Sequence, residues 1–170
     1  PEERLRVAII GAISLIKGSQ VLMNAIRDAN KRDLSVEYIL IGHSDHPDLN
    51  AGVERFTSTG EYSEDMIGEL LALHRPHLAF IPSVWPETYC YTLSIALRYG
   101  IRAAVFDMGA PAERIRALGD YAGEILPVAW MDDIKQLNDY FVVYNPGHHQ
   151  VIRPDDVTYP SLMRDYYELT

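Results

Sequence analysis

Short apolar runs recur along the first two thirds of the chain, at residues 5–11 (LRVAIIG), 36–42 (VEYILIG), 78–82 (LAFIP) and 103–107 (AAVFD). Their hydrophobicity is continuous rather than alternating, which is the pattern of strands buried on both faces, as in a parallel sheet. Each run stops at Gly, Pro or Asp. A weaker strand is predicted at 55–58 (RFTS). Helical spacing fills the intervals. Residues 17–31 place Val21, Leu22, Ala25, Ile26 and Ala29 on one face, and 64–74 do the same with Ile67, Leu70 and Leu71 behind a Ser63 cap. Further helices are predicted at 88–99 and 111–118. After Ile125 the pattern weakens. Residues 130–143 read as one more helix, ended by Asn145-Pro146-Gly147, and 159–169 as a short aromatic terminal helix.

Strands alternating with helices predict an α/β class protein, a doubly wound, Rossmann-like parallel sheet with helices on both faces. Ligands of such sheets sit at the carboxyl ends of the strands. No internal repeat and no long linker interrupts the series, so residues 1–170 are read as one domain with a core at 4–144 and an extension at 145–170. The chain opens at Pro1-Glu2-Glu3 without Met and enters a strand almost at once, so it is expected to be part of a longer protein.

Composition narrows the function classes. With 170 residues, 48% of them hydrophobic and 23% charged, the chain is long enough to bury a core. The net charge of -9, with acids spread along the sequence, leaves no basic face for a nucleic acid. The single cysteine, Cys90, excludes an intrachain disulfide framework and agrees with a reducing compartment, with the cytoplasm as the expectation. No apolar run approaches the roughly 20 residues of a transmembrane segment, and the N-terminus lacks a signal-peptide pattern.

The candidate chemistry lies at two strand-to-helix junctions. The first reads Gly11-Ala12-Ile13-Ser14-Leu15-Ile16-Lys17-Gly18-Ser19. It matches neither GxGxxG nor GxxxxGK[ST], which removes the main support for a nicotinamide site or an ATPase. It does place a lysine and a glycine at a helix start, where charge and dipole together favour an anion. The second junction, 82–97 (PSVWPETYCYTLSIAL), sets the lone carboxylate Glu87 between a strand and a helix. The amides of Cys90, Tyr91 and Thr92 are expected to be free donors at that helix start. Cation, amides and carboxylate in one crevice suit a diphosphate bound beside sugar hydroxyls, that is, a nucleotide sugar.

These residues resemble the C-terminal, donor-binding domain of retaining GT-B glycosyltransferases, in particular the group called glycosyl transferases group 1 or family 4. That group has a G-R-x-x-x-x-K-G segment in its first βα loop, matched here by Gly11, Lys17 and Gly18. It also has an E-x7-E segment following P-S, matched by Pro82, Ser83 and Glu87. The resemblance spans roughly residues 5–120 and includes the intervening Ser58-Thr59-Gly60. It implies that Lys17 neutralises the donor diphosphate, that Glu87 binds the donor sugar, and that the Tyr91 and Thr92 amides hold phosphate oxygens. It also implies a carbohydrate or lipid-linked acceptor, a separate N-terminal GT-B domain across the cleft, and no cofactor or metal beyond the donor. Two positions depart from the pattern: the basic residue after the first glycine is Ala12, and the second Glu is Ile95. In the family that second carboxylate grips the ribose, which Ile95 cannot do. A sugar-nucleotide 2-epimerase on the same scaffold, and a non-catalytic scaffold or regulatory domain, are the alternative functions.

Other residues are weighed against plain structural roles. Residues 109–114 (GAPAER) overhang the same crevice or simply start a helix with Pro111 and Glu113. His43, Ser44 and Asp45 contact a ribose or base, or form a polar turn. His148 and His149 lack a third metal ligand, and His74 and His77 frame a structural turn at Pro76. Cys90 is read as a packing thiol. Tyr89 and Tyr91 stack on a ligand or pack in the core. Tyr159, Tyr166 and Tyr167 form a stripe suited to a neighbouring domain.

Overall fold

The computed structural model describes residues 4–50 and 53–145. Among them, six parallel strands form one sheet in the order β3-β2-β1-β4-β5-β6, where β1 is Leu5–Ile13, β2 Val36–Ser44, β3 Phe56–Ser58, β4 Leu78–Ile81, β5 Ala103–Phe106 and β6 Gly123–Leu126. The helices are α1 (Ser19–Lys31), α2 (Ile67–His74), α3 (Tyr91–Arg98), α4 (Gly109–Leu118) and α5 (Ile134–Val143). This is the doubly wound sheet that the apolar runs predict.

Side-chain alternation along each strand feeds two cores. Val7 and Ile9 of β1 join Tyr38, Leu40, Phe80 and Phe106 under α1 and α5, where Leu22, Ile26, Leu137 and Phe141 are buried. Ala8 and Ile10 point the other way and meet Ile67 and Leu71 of α2. On that same face, Ala79, Ile81 and Val105 pack against Leu93 and Leu97 of α3 and Ile115 of α4. Both faces are thus covered, which is why these strands read as unbroken apolar runs. The face predicted for α1 is the one buried.

Four expectations need correction. Ser63 makes no side-chain cap; residues 64–66 form a 3-10 turn and α2 begins only at Ile67. The helix predicted from 88 begins at Tyr91, because residues 88–90 run as a loop into an extended Cys90. The helix predicted at 130–143 divides into a 3-10 turn, Val128–Met131, and α5, whose N-cap Asp133 accepts a hydrogen bond from the Gln136 amide at 3.2 Å. The strand β6 was not expected: its GEIL sequence is short, opens on Gly and carries Glu124, which pairs at 2.7 Å with the buried Arg102. The predicted terminal helix at 159–169, with Tyr159, Tyr166 and Tyr167, lies outside the described residues, as do His148 and His149.

Candidate functional site

The sheet order reverses between β1 and β4. The crossover from β1 leads away to β2, that from β4 to β5, and the loops part to leave a crevice at the strands' carboxyl ends. A cleft of about 210 Å³ occupies that point, walled by Gly11, Ala12, Ile13, Lys17, Pro82, Ser83, Glu87 and Thr92 over a floor of Ile9, Ile10, Phe80 and Ile81. The two loops that flank it are tied together. Val84 N donates to Ile16 O at 3.1 Å, and the Ser83 hydroxyl donates to Ile16 O at 3.3 Å.

Across this cleft the Lys17 ammonium meets the Glu87 carboxylate, Nζ to Oε2, at 2.8 Å. Glu87 is the fixed partner, 10% exposed, whereas Lys17 is 43% exposed and has room to turn. The Glu87 backbone is clamped from α4: the Ala110 amide donates to Glu87 O at 2.8 Å. Gly109, at φ 63°, lies so close that a Cβ there would stand 2.8 Å from Glu87 N and from Glu87 O. Residues 109–110 therefore both start α4 and brace the site through main chain, so the two readings of the 109–114 segment meet in one place. The signal was a glycine followed by a helix-starting proline.

The third wall is the start of α3. No side chain caps this helix, and the Tyr91 and Thr92 amides meet no acceptor among the described residues. The Thr92 hydroxyl donates to Ile10 O at 3.2 Å, which pins α3 against β1 and leaves its amides as the donors of that turn. Arg114, the last residue of the 109–114 segment, holds the same turn from outside: Nη1 donates to Cys90 O at 2.9 Å and Nη2 to the Ser94 hydroxyl at 2.9 Å. Its guanidinium lies 5.2 Å over the Tyr89 ring.

Of the residues expected to act, Gly11, Lys17, Glu87 and Thr92 come together around one cleft. Gly18 and Tyr91 lie beside it. Gly18 caps α1 at φ 89°, and a Cβ there would stand 2.0 Å from Pro82 O, so its place is a close approach of α1 to the end of β4. Tyr91 is 77% exposed, its ring edge-on to Tyr89 at 4.7 Å. Tyr89 is half-buried and carries the Arg114 guanidinium over its ring. Both departures from the motif are visible: Ala12 puts a methyl where a cation was expected, and Ile95 packs with the apolar cluster of Ile10, Ile39, Ile67 and Leu71.

Ser44, His77 and Cys90 have structural partners. The Ser44 hydroxyl donates to Ile13 O at 2.7 Å and accepts from His46 N at 3.1 Å, forming the polar turn. His77 Nδ1 accepts from Arg6 N at 2.9 Å, tying β4's approach to β1. Cys90 is buried, and burial pushes its thiol up to about 11 despite the nearby Leu93 amide. Among the described residues no three His, Cys, Asp or Glu side chains cluster as a metal site, and no helix is long and apolar enough to cross a membrane.

No protein-family model and no curated protein sequence matches the chain. Solved structures do. TarM is 15% identical, with 99% of this chain and 36% of that chain covered at a TM-score of 0.61. HepE from Anabaena, solved in complex with UDP, is 18% identical over 99% of this chain and 50% of its own, at 0.60. The pneumococcal O-GlcNAc transferase GtfA, in complex with UDP and GlcNAc, is 15% identical over 95% and 35%, at 0.66. The chain spans at most about half the length of these structures. With its strand order and its cleft at the switch point, the chain has the doubly wound, Rossmann-like fold of one half of a GT-B structure.

Proposed function

We propose that this chain is the donor-binding half of a retaining glycosyltransferase, acting in a reducing compartment such as the cytoplasm, that moves a sugar from a nucleoside-diphosphate sugar to a carbohydrate or lipid-linked acceptor. The observation that carries the reading is the meeting of Lys17 and Glu87 at 2.8 Å in the switch-point cleft, beside the uncapped start of α3. A cation, two free amides and a carboxylate are the donors and acceptor that a sugar diphosphate requires. HepE and GtfA, both solved with UDP, share the fold, which agrees with this choice of ligand class.

In this role the diphosphate draws Lys17 off Glu87. The ammonium and the Tyr91 and Thr92 amides then face phosphate oxygens, and stabilise the negative charge that grows on the leaving diphosphate as the anomeric carbon turns cationic. Glu87, released and held by its clamped backbone, accepts hydrogen bonds from sugar hydroxyls and fixes the ring. The acceptor enters from a second GT-B domain across the cleft. Leu15, Ile16 and Trp85, all exposed on the two flanking loops, offer that domain an apolar rim.

Titration of the 170-residue chain with UDP, UDP-sugars and GDP-sugars by calorimetry or proton NMR tests the reading. Weak binding without sugar transfer is expected, together with loss of binding in Lys17→Ala and loss of the preference for UDP-sugar over UDP in Glu87→Ala. Wild-type UDP affinity in Lys17→Ala with an unchanged preference in Glu87→Ala would refute it. A second reading, a scaffold domain that no longer turns over, is favoured by Ala12 and by the apolar, half-buried Ile95 where a ribose ligand was expected. Glu87→Ala in the complete protein separates the two, since a scaffold keeps its cellular phenotype and an enzyme loses its glycan product.

A further inference from the structure

We propose that Arg114 is a positioning residue for anion binding: through its bonds to Cys90 O and Ser94 Oγ it sets the direction of the Tyr91 and Thr92 amides. The inference rests on the proposed donor site and adds a residue from another helix, outside the matched motifs.

The first turn of α3 is held unusually loosely by its own hydrogen bonds. The Ser94 amide reaches Cys90 O only at 3.4 Å, and the Ser94 hydroxyl only at 3.5 Å. Arg114 takes the same carbonyl at 2.9 Å, a shorter and charge-assisted bond. Its second nitrogen bonds Ser94 Oγ at 2.9 Å, so one planar guanidinium grips the turn at both ends. The Tyr89 ring closes the network, lying under the guanidinium and contacting Ser94 Oγ through its hydroxyl at 3.3 Å.

The peptide plane that carries the Cys90 carbonyl also carries the Tyr91 amide. A bond that aims that carbonyl at Arg114 therefore aims the Tyr91 N–H in the opposite direction, and Thr92 N follows one residue on. The same helix α4 clamps Glu87 through Gly109 and Ala110. One rigid element thus braces both the carboxylate and the amides of the cleft, through main chain at Gly109 and Ala110 and through a side chain at Arg114.

The test uses the full chain, UDP as the probe, and ¹⁵N-resolved amide resonances of Tyr91 and Thr92. In Arg114→Lys, which keeps the charge and loses the fork, both resonances shift in the ligand-free protein and UDP binding weakens by about fivefold to tenfold. Lys17→Ala, as control, weakens binding without moving those resonances in the same way. Unshifted amides together with UDP affinity within about twofold of wild type in Arg114→Lys would overturn the proposal. Should Arg114→Ala fail to fold, Arg114→Lys and Ser94→Ala carry the test, with thermal unfolding as the check. If wild type itself takes up no UDP, the donor site is the reading that fails. The amide resonances of Arg114→Lys then decide the positioning role alone.

Discussion

Lys17 and Glu87 close on one another at 2.8 Å across the junction of β1 and β4, and neither has another ion-pair partner among the described residues. The pair is asymmetric. Glu87 is nearly buried and its main chain is locked by α4, while Lys17 stands half in solvent at the end of a loop. A pair of this kind is worth more than the roughly 0–1 kcal/mol of a surface pair and less than the roughly 3–5 kcal/mol lost on breaking a fully buried one.

Lys17→Ala is therefore expected to act twice. Without ligand it leaves Glu87 uncompensated and lowers the thermal midpoint. With ligand it costs on the order of tenfold or more in UDP affinity, about 1.4 kcal/mol per factor of ten. Glu87→Gln separates the effects, since it removes the ion pair but leaves Lys17 free for phosphate. UDP binding by Glu87→Gln should match or exceed that of wild type, while the preference for UDP-sugar over UDP shrinks. Isothermal titration of both ligands checks this, and a parallel loss in both variants would show that the pair acts only in folding.

The strands, the faces of α1 and α2, and the residues that meet in the cleft were legible because each rests on a local rule. Continuous apolar runs report burial on both sides, and the Lys17 and Glu87 junctions follow from where such runs stop. What escaped has a nonlocal cause. Strand β6 is stabilised by pairing with β5 and by Arg102 reaching Glu124, neither of which a four-residue window contains. At the start of α3 the extended Cys90 gives its carbonyl to Arg114 of another helix, and the close approach of Gly18 is to Pro82, both far along the chain. The cap at Asp133 is different: a D-x-x-Q spacing ahead of an apolar run was there to be read.

Gly18 and Gly119 make a matched pair for a stability experiment. Both have positive φ, 89° and 94°, so alanine is strained at either. Only at Gly18 does the new Cβ collide, 2.0 Å from the Pro82 carbonyl oxygen, whereas at Gly119 it meets nothing within 4 Å. Gly119→Ala is expected to cost about 1–3 kcal/mol, because φ 94° with ψ -177° is backbone that almost only glycine adopts. Gly18→Ala should cost more and displace Pro82, or fail to fold, because its new Cβ meets the Pro82 backbone. Urea unfolding of the two variants measures the difference, and equal costs would mean that the approach of α1 to β4 is slack.

Cys90 couples stability to alkaline pH. Its thiol ionises near 9.0 when unfolded and is pushed up to about 11 in the fold by burial. Below pH 9 both states keep the proton and stability does not depend on this group. Between pH 9 and 11 only the unfolded state releases it, so stability falls with rising pH, by on the order of 2–3 kcal/mol over the window at about 1.4 kcal/mol per pH unit. Cys90→Ala should flatten that limb of the curve, leaving the contribution of the buried tyrosines at higher pH. An aromatic disulfide reagent at neutral pH should leave native Cys90 unmodified and label it only after unfolding, and rapid native labelling would contradict the burial.

Ile95 sits one turn after Thr92 on α3, on the side that packs against Ile10 and Ile67. The resemblance expects a carboxylate there to grip the ribose, so Ile95→Glu sets two effects against each other. Placing a charge beside an apolar cluster costs stability, about 1–3 kcal/mol if the side chain turns toward the cleft and water. If the donor is a nucleotide sugar, the same carboxylate gains the ribose hydroxyls, and UDP affinity should rise by roughly tenfold through charge-assisted hydrogen bonds. The gain should vanish with a 2′,3′-dideoxynucleoside diphosphate, which offers no diol, while the loss of thermal stability stays. An Ile95→Glu variant that folds yet binds both nucleotides as wild type does would place the ribose elsewhere, and with it the nucleoside half of the proposed donor.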